Sequence, residues 1–143
     1  MNRYSNYRVK LAQNAIVRLD DIICNMESED TIFTHQCSLF VLDDQLVIDC
    51  LSNAISLFDT DETFPFLILS GLPFPKIDER IIGCKILIRS FEVTSGSIRF
   101  QAKIHQENFM QKLASEVKLE IVLTGRNITQ NASEIKFALN FSV

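Results

Sequence analysis

The chain has 143 residues, 47% of them hydrophobic and 22% charged, with a formal net charge of −4. That size suits a single domain, residues 1–143, with a core of its own. Its 14 basic residues are scattered among 18 acidic ones, which argues against a phosphate-neutralising face and so against nucleic acid as a partner.

In chain order, Tyr4, Tyr7, Leu11, Ala15, Leu19, Ile22, Ile23 and Met26 recur at spacings of three and four. They predict one amphipathic helix over residues 3–26. The alternation in Tyr7-Arg8-Val9-Lys10-Leu11 offers a strand over 7–11 as the competing reading. Ile32–Leu42 and Gln45–Cys50 predict a hairpin that turns at Asp43-Asp44, since aspartate bonds its own backbone in turns. Leu51–Phe58 reads as a short helix with Ser52 at its N-cap. An acidic loop, Asp59–Thr63, and a short apolar strand, Phe64–Ser70, follow. Pro73 and Pro75 mark Gly71–Arg80 as an irregular loop.

Ile81–Val93 and Ser97–His105 predict a second hairpin through Ser95-Gly96, where glycine supplies a positive φ. Gln106–Glu116 reads as a short helix with Phe109, Met110 and Leu113 on one side. Val117, Leu119, Ile121 and Leu123 then alternate with polar residues, and so do Ile135, Phe137, Leu139, Phe141 and Val143. A period of two predicts strands with one buried and one wet face, Val117–Thr124 and Glu134–Ser142, and hence antiparallel pairing. The expected fold is α+β: a mostly antiparallel sheet of five to seven strands, packed against the N-terminal amphipathic helix and two short helices. The terminal strand, Ile135–Val143, is expected at an edge, where it offers a surface for homodimerisation or strand addition.

Residues that carry chemistry are few. His35 and Cys37 would share one face of a strand, but Cys37 continues into the apolar Leu39 and Val41 and reads as core. The four cysteines, at 24, 37, 50 and 84, form no C-x-x-C step, and Cys37, Cys50 and Cys84, which lie in apolar strand patterns, read as buried, inert thiols. Asp59, Asp61 and Glu62 lack the glycine and distal glutamate of a calcium loop. The four glycines form neither G-x-G-x-x-G nor a P-loop. No metal or cofactor is therefore expected.

The opening residues, MNRYSNYRVK, hold no apolar signal core, so the expected compartment is the cytoplasm with reduced thiols. No apolar run approaches the ~18 residues of a membrane span.

Two stretches offer interaction surfaces. Tyr4, Tyr7 and Arg8 on the first helix are residue types common at interface anchors. Phe64, Phe66, Leu72 and Phe74 stand beside prolines that hold backbone rigid and often exposed. The expectation is a non-enzymatic protein–protein interaction module, such as an adaptor, a chaperone-like binder or an inhibitor, whose partner is another protein. The alternative is a carrier that encloses an apolar, lipid-like ligand among Phe, Ile and Leu side chains. A cofactor-free enzyme using His35 or His105 ranks third.

Overall fold

The computed structural model describes residues 3–28, 32–51, 55–56, 63–72, 83–104 and 117–140. Its elements are α1 (Arg3–Asn14), β1 (Val17–Glu27), β2 (Ile32–Val41), β3 (Leu46–Asp49), β4 (Ile55–Ser56), β5 (Thr63–Phe64), β6 (Phe66–Ser70), β7 (Gly83–Thr94), β8 (Ser97–Ile104), β9 (Val117–Thr124) and α2 (Ala132–Ala138). The fold is mostly β, and seven of the strands close into a barrel in the order β1-β2-β3-β6-β7-β8-β9. The α+β expectation holds in outline, but the sheet is a closed barrel rather than an open layer under helices.

Seven strands cannot close with antiparallel pairing throughout, because the directions would alternate an odd number of times. One seam has to be parallel, and it lies between β6 and β7, where Phe66 pairs with Gly83 and Ser70 with Leu87. A parallel seam is normally buried on both faces. All five residues of β6 are buried, Leu67 and Leu69 inside the barrel, Phe66 and Ile68 outside it beneath α1. Gly83 opens β7 at this seam, where a Cβ would meet Ile68 side-chain atoms at 2.9 Å and the Phe66 carbonyl oxygen at 3.0 Å.

Three expectations about elements are corrected. The helix expected over residues 3–26 ends at Asn14, and β1 begins at Val17. The cause is a bulge: the β1–β2 register slips between Leu19 and Ile22, and Asp21 takes a φ of 57°. Inward residues therefore fall at 17, 19, 22, 24 and 26, so the step of three inside a strand imitates helical spacing. Second, Ile55–Ser56, expected in a helix over Leu51–Phe58, is strand that pairs with Thr63–Phe64. The partner strand satisfies the backbone groups there.

Third, the strand expected over Glu134–Ser142 is replaced by a 3-10 turn, Thr129–Asn131, and by α2. Ile128, Ala132, Ile135 and Leu139 recur at steps of four, three and four, and this helical stripe faces the core. Asn140, at φ 61°, ends the helix in the left-handed region, with its N–H donating to the Phe137 carbonyl at 2.9 Å. The edge expected at Ile135–Val143 is therefore absent at 135–140. Pairing of β9 with β1 closes the barrel, so among the described residues no barrel strand is left at an edge. Residues 141–143, the expected helix at Gln106–Glu116 with the neighbouring His105, and the loop at 73–80 lie outside the described residues.

The register sets the two ends of the barrel. Val17, Val41, Leu46, Leu69, Thr94, Ser97 and Thr124 lie at one end, where the chain leaves β9 for α2. Ile128, Ile135, Ala138 and Leu139, all 0% exposed, join the interior cluster there, so α2 lies across that end as a plug. Leu39, Ile48, Leu67, Ile86, Phe100 and Ile121 fill the middle. A barrel of about eight strands has an interior just wide enough for side chains, and seven make it narrower. Arg99, Gln101, Lys118 and Glu120 occupy outward positions on β8 and β9. At these positions polar side chains face out and their neighbours Phe100, Ala102, Leu119 and Ile121 face in, the reverse of lipid-facing strands. Among the described residues no helix is long and apolar enough to cross a membrane.

Candidate functional site

The first candidate region is where α1 meets the barrel wall. Leu11, with Tyr7 and Ala15 half-buried beside it, packs on Phe40, Val47, Phe66 and Ile68. Tyr7 stands edge-on to Phe66 at 4.7 Å, and burial pushes its phenol pKa up. The Arg8 guanidinium donates from Nε to Asp49 Oδ2 at 2.9 Å and from Nη2 to Asp49 Oδ1 at 3.2 Å. Nη2 also donates to the Leu51 carbonyl at 2.8 Å, and the guanidinium lies 5.4 Å from the centre of the Phe66 ring. Leu51 has a left-handed φ of 61°, and its N–H donates to Asp49 Oδ1 at 2.8 Å. A strained residue persists where its surroundings over-determine it, and here Asp49 and Arg8 hold it from both sides.

Three of the residues singled out in the sequence, Tyr7, Arg8 and Phe66, are thus brought together. Among the described residues they touch one another and the barrel wall, and Phe66 is 0% exposed. Leu72 is 50% exposed just beyond β6. Tyr4 lies in α1 and Phe64 in β5, but their side chains, like Phe74, lie outside the described residues.

The second region is inside the barrel. Cys24, Cys37, Cys50 and Cys84 are free and buried. Cys24 and Cys37 both point inward, from adjacent strands. The hydrogen bond between their thiols, then burial, then repulsion from the neighbouring thiols, holds the Cys24 pKa well above the ordinary thiol range. Burial, reinforced by Cys37 and Asp49 and opposed by Arg8, pushes the Cys50 thiol up to about 12. Cys24 and Cys50 stay protonated at neutral pH and are poor nucleophiles. Cys37, 1% exposed, is closed to any substrate, and His35 is half-buried with its ring 5.7 Å from Phe33. Among the described residues no group of three or more His, Cys, Asp or Glu side chains could hold a metal ion.

The third region was not singled out in the sequence. Ile16, at the junction of α1 and β1, and Phe137, on α2, flank an open groove of about 250 Å³ also lined by Ser133 and Glu134. Ile16 is 56% exposed and Phe137 69%. Both walls are anchored: the Ile16 N–H donates to the Val41 carbonyl at 2.8 Å, and α2 is held by the buried Ile135, Ala138 and Leu139. The missed signal is the Ile128, Ala132, Ile135, Leu139 spacing. Once that stripe is taken as helix, Phe137 falls off it and has no buried role.

Comparison with protein-family models, with curated proteins and with solved structures gives no match for this chain.

Proposed function

We propose that the protein is a non-enzymatic binding module that engages another protein through the barrel end covered by α2. One observation carries this reading: two large apolar side chains, Ile16 and Phe137, are held exposed on rigid elements around an open groove. Aromatic anchors at the centre of a patch supply most of the energy in protein interfaces. The thiols point the same way, since Cys24, Cys37 and Cys50 are sealed in the core.

The closed barrel favours a second reading, a carrier of an apolar ligand. It has less support, because interior residues such as Leu39, Ile48, Leu69, Ile86 and Phe100 are 0% exposed. Side chains with no exposure line no space that even a water could enter.

The test is affinity capture from the native host with wild-type protein and with Phe137→Ala, each eluate divided between proteomic and lipid mass spectrometry. A stoichiometric protein retained by wild type and lost from Phe137→Ala supports the module. A bound lipid with no protein overturns it in favour of the carrier.

A further inference from the structure

We propose that the groove between Ile16 and Phe137 takes a peptide segment of a partner protein that presents one large apolar side chain next to a lysine or arginine. The inference rests on the protein-binding reading and specifies its ligand. Four features of the groove support it.

The first is size. At about 250 Å³ the groove falls below the roughly 300–1,000 Å³ typical of small-molecule sites. It suits a single anchoring side chain, with the rest of the segment lying over the open surface.

The second is charge. Glu134 lines the groove one helical turn before Phe137, and its carboxylate makes no hydrogen bond or ion pair among the described residues. Lys136, two residues further on, lies about 200° round the helix and does not neutralise it. A partner's cation placed there would meet a free carboxylate and could also lie against the exposed Phe137 ring, an arrangement that attracts cations. The net charge of −4 attracts a basic segment from a distance as well.

The third is preorganisation. The plug residues of α2 and the Ile16 to Val41 hydrogen bond hold both walls in place before any partner arrives. Little ordering cost remains to be met on binding.

The fourth concerns a second copy of this chain. Two copies docking groove to groove about a two-fold axis would bring the same surface patch together. Glu134 would then approach its equivalent, and facing like charges oppose such a complex.

The experiment is selection from a phage-displayed library of random dodecapeptides on three proteins: wild type, Phe137→Ala and Glu134→Lys. Both substituted side chains lie at the surface, so both variants should keep the wild-type circular dichroism spectrum and Tm. Peptides enriched on wild type are expected to share a Leu, Ile, Met or Phe with a Lys or Arg within two positions. Their affinity should fall at least ten-fold on Phe137→Ala. On Glu134→Lys it should fall about five-fold or more, with acidic neighbours now preferred. If the enriched peptides bind Phe137→Ala as tightly as wild type, or show no basic preference, the proposal is overturned while the protein-binding reading stands. If no peptide is enriched and host capture yields no protein, both fall. If sedimentation shows a wild-type dimer that Phe137→Ala converts to monomer, the occupant is a second copy and the peptide proposal is overturned.

Discussion

Arg8 and Asp49 form a two-pronged ion pair that joins α1 to the barrel, with Nε–Oδ2 at 2.9 Å and Nη2–Oδ1 at 3.2 Å. The Asp49 side chain is 4% exposed and that of Arg8 37%. The aspartate is therefore committed to the core, while the arginine caps it from the surface. A charge that is buried needs such a partner.

Removing Arg8 would leave the Asp49 carboxylate with the Leu51 N–H as its remaining donor. Breaking a fully buried pair costs about 3–5 kcal/mol. Because Arg8 is partly solvated, Arg8→Ala is expected to lower unfolding free energy by about 2 kcal/mol in urea titrations. A double-mutant cycle with Asp49→Ala should show coupling of about 1 kcal/mol or more. Additive effects would show that the two groups do not support each other.

The thiols give the fold an alkaline limit. Cys50 rises from the ordinary 9.0 to about 12 on folding, and Cys24 also rises. A group whose pKa is raised in the folded state gives up protons first in the unfolded state. Stability from Cys50 is therefore complete below about pH 9 and is lost as pH rises towards 12, and Cys24 acts in the same direction. Cys50 contributes a slope of up to about 1.4 kcal/mol per pH unit in that window. Urea titrations at pH 8, 9, 10 and 11 should show this decline, and Cys50→Ala should make it shallower. A stability profile that stays flat to pH 11 would contradict the assignment.

The parallel seam depends on the missing side chain at Gly83. In Gly83→Ala the added methyl would meet Ile68 at 2.9 Å and the Phe66 carbonyl oxygen at 3.0 Å. Overpacking of this kind costs about 1–3 kcal/mol. Thermal melts should show a lower Tm for Gly83→Ala. Ile68→Val removes Cδ1, one of the two Ile68 atoms that the methyl meets at 2.9 Å, and should recover part of the loss.

The two faces of α2 should respond in opposite ways. Ile135 is 0% exposed in the plug, so Ile135→Ala is expected to cost about 2–4 kcal/mol. Phe137 is 69% exposed, and Phe137→Ala should stay within about 0.5 kcal/mol of wild type. Denaturant titration of both variants separates a structural side chain from one left free for recognition. A large loss from Phe137→Ala would mean that its ring packs on the barrel.

Local pattern determined much of this protein. The hairpins β2–β3 and β7–β8 are legible in alternation and in turns at Asp43-Asp44 and Ser95-Gly96, where Gly96 has the φ of 81° that its residue type allows. The inward faces of β8 and β9 and the burial of Cys37, Cys50 and Cys84 were equally legible, because side-chain direction in a strand follows its period of two. Other features were settled only in three dimensions. Closure of β9 on β1 and the parallel joint of β6 and β7 are pairings between segments far apart in the chain, and no local spacing encodes them. The bulge at Asp20-Asp21 turned a strand into the likeness of a helix. In the C-terminal segment Ile135 and Leu139 fit both periods at once while Phe137 fits the strand period alone, and the need to cover an open barrel end decided for α2. That choice buried Ile135 and Leu139 and left Phe137 outside, beside Ile16. The groove is thus a product of tertiary packing: two side chains from opposite ends of the chain meet only after the barrel has closed and been plugged.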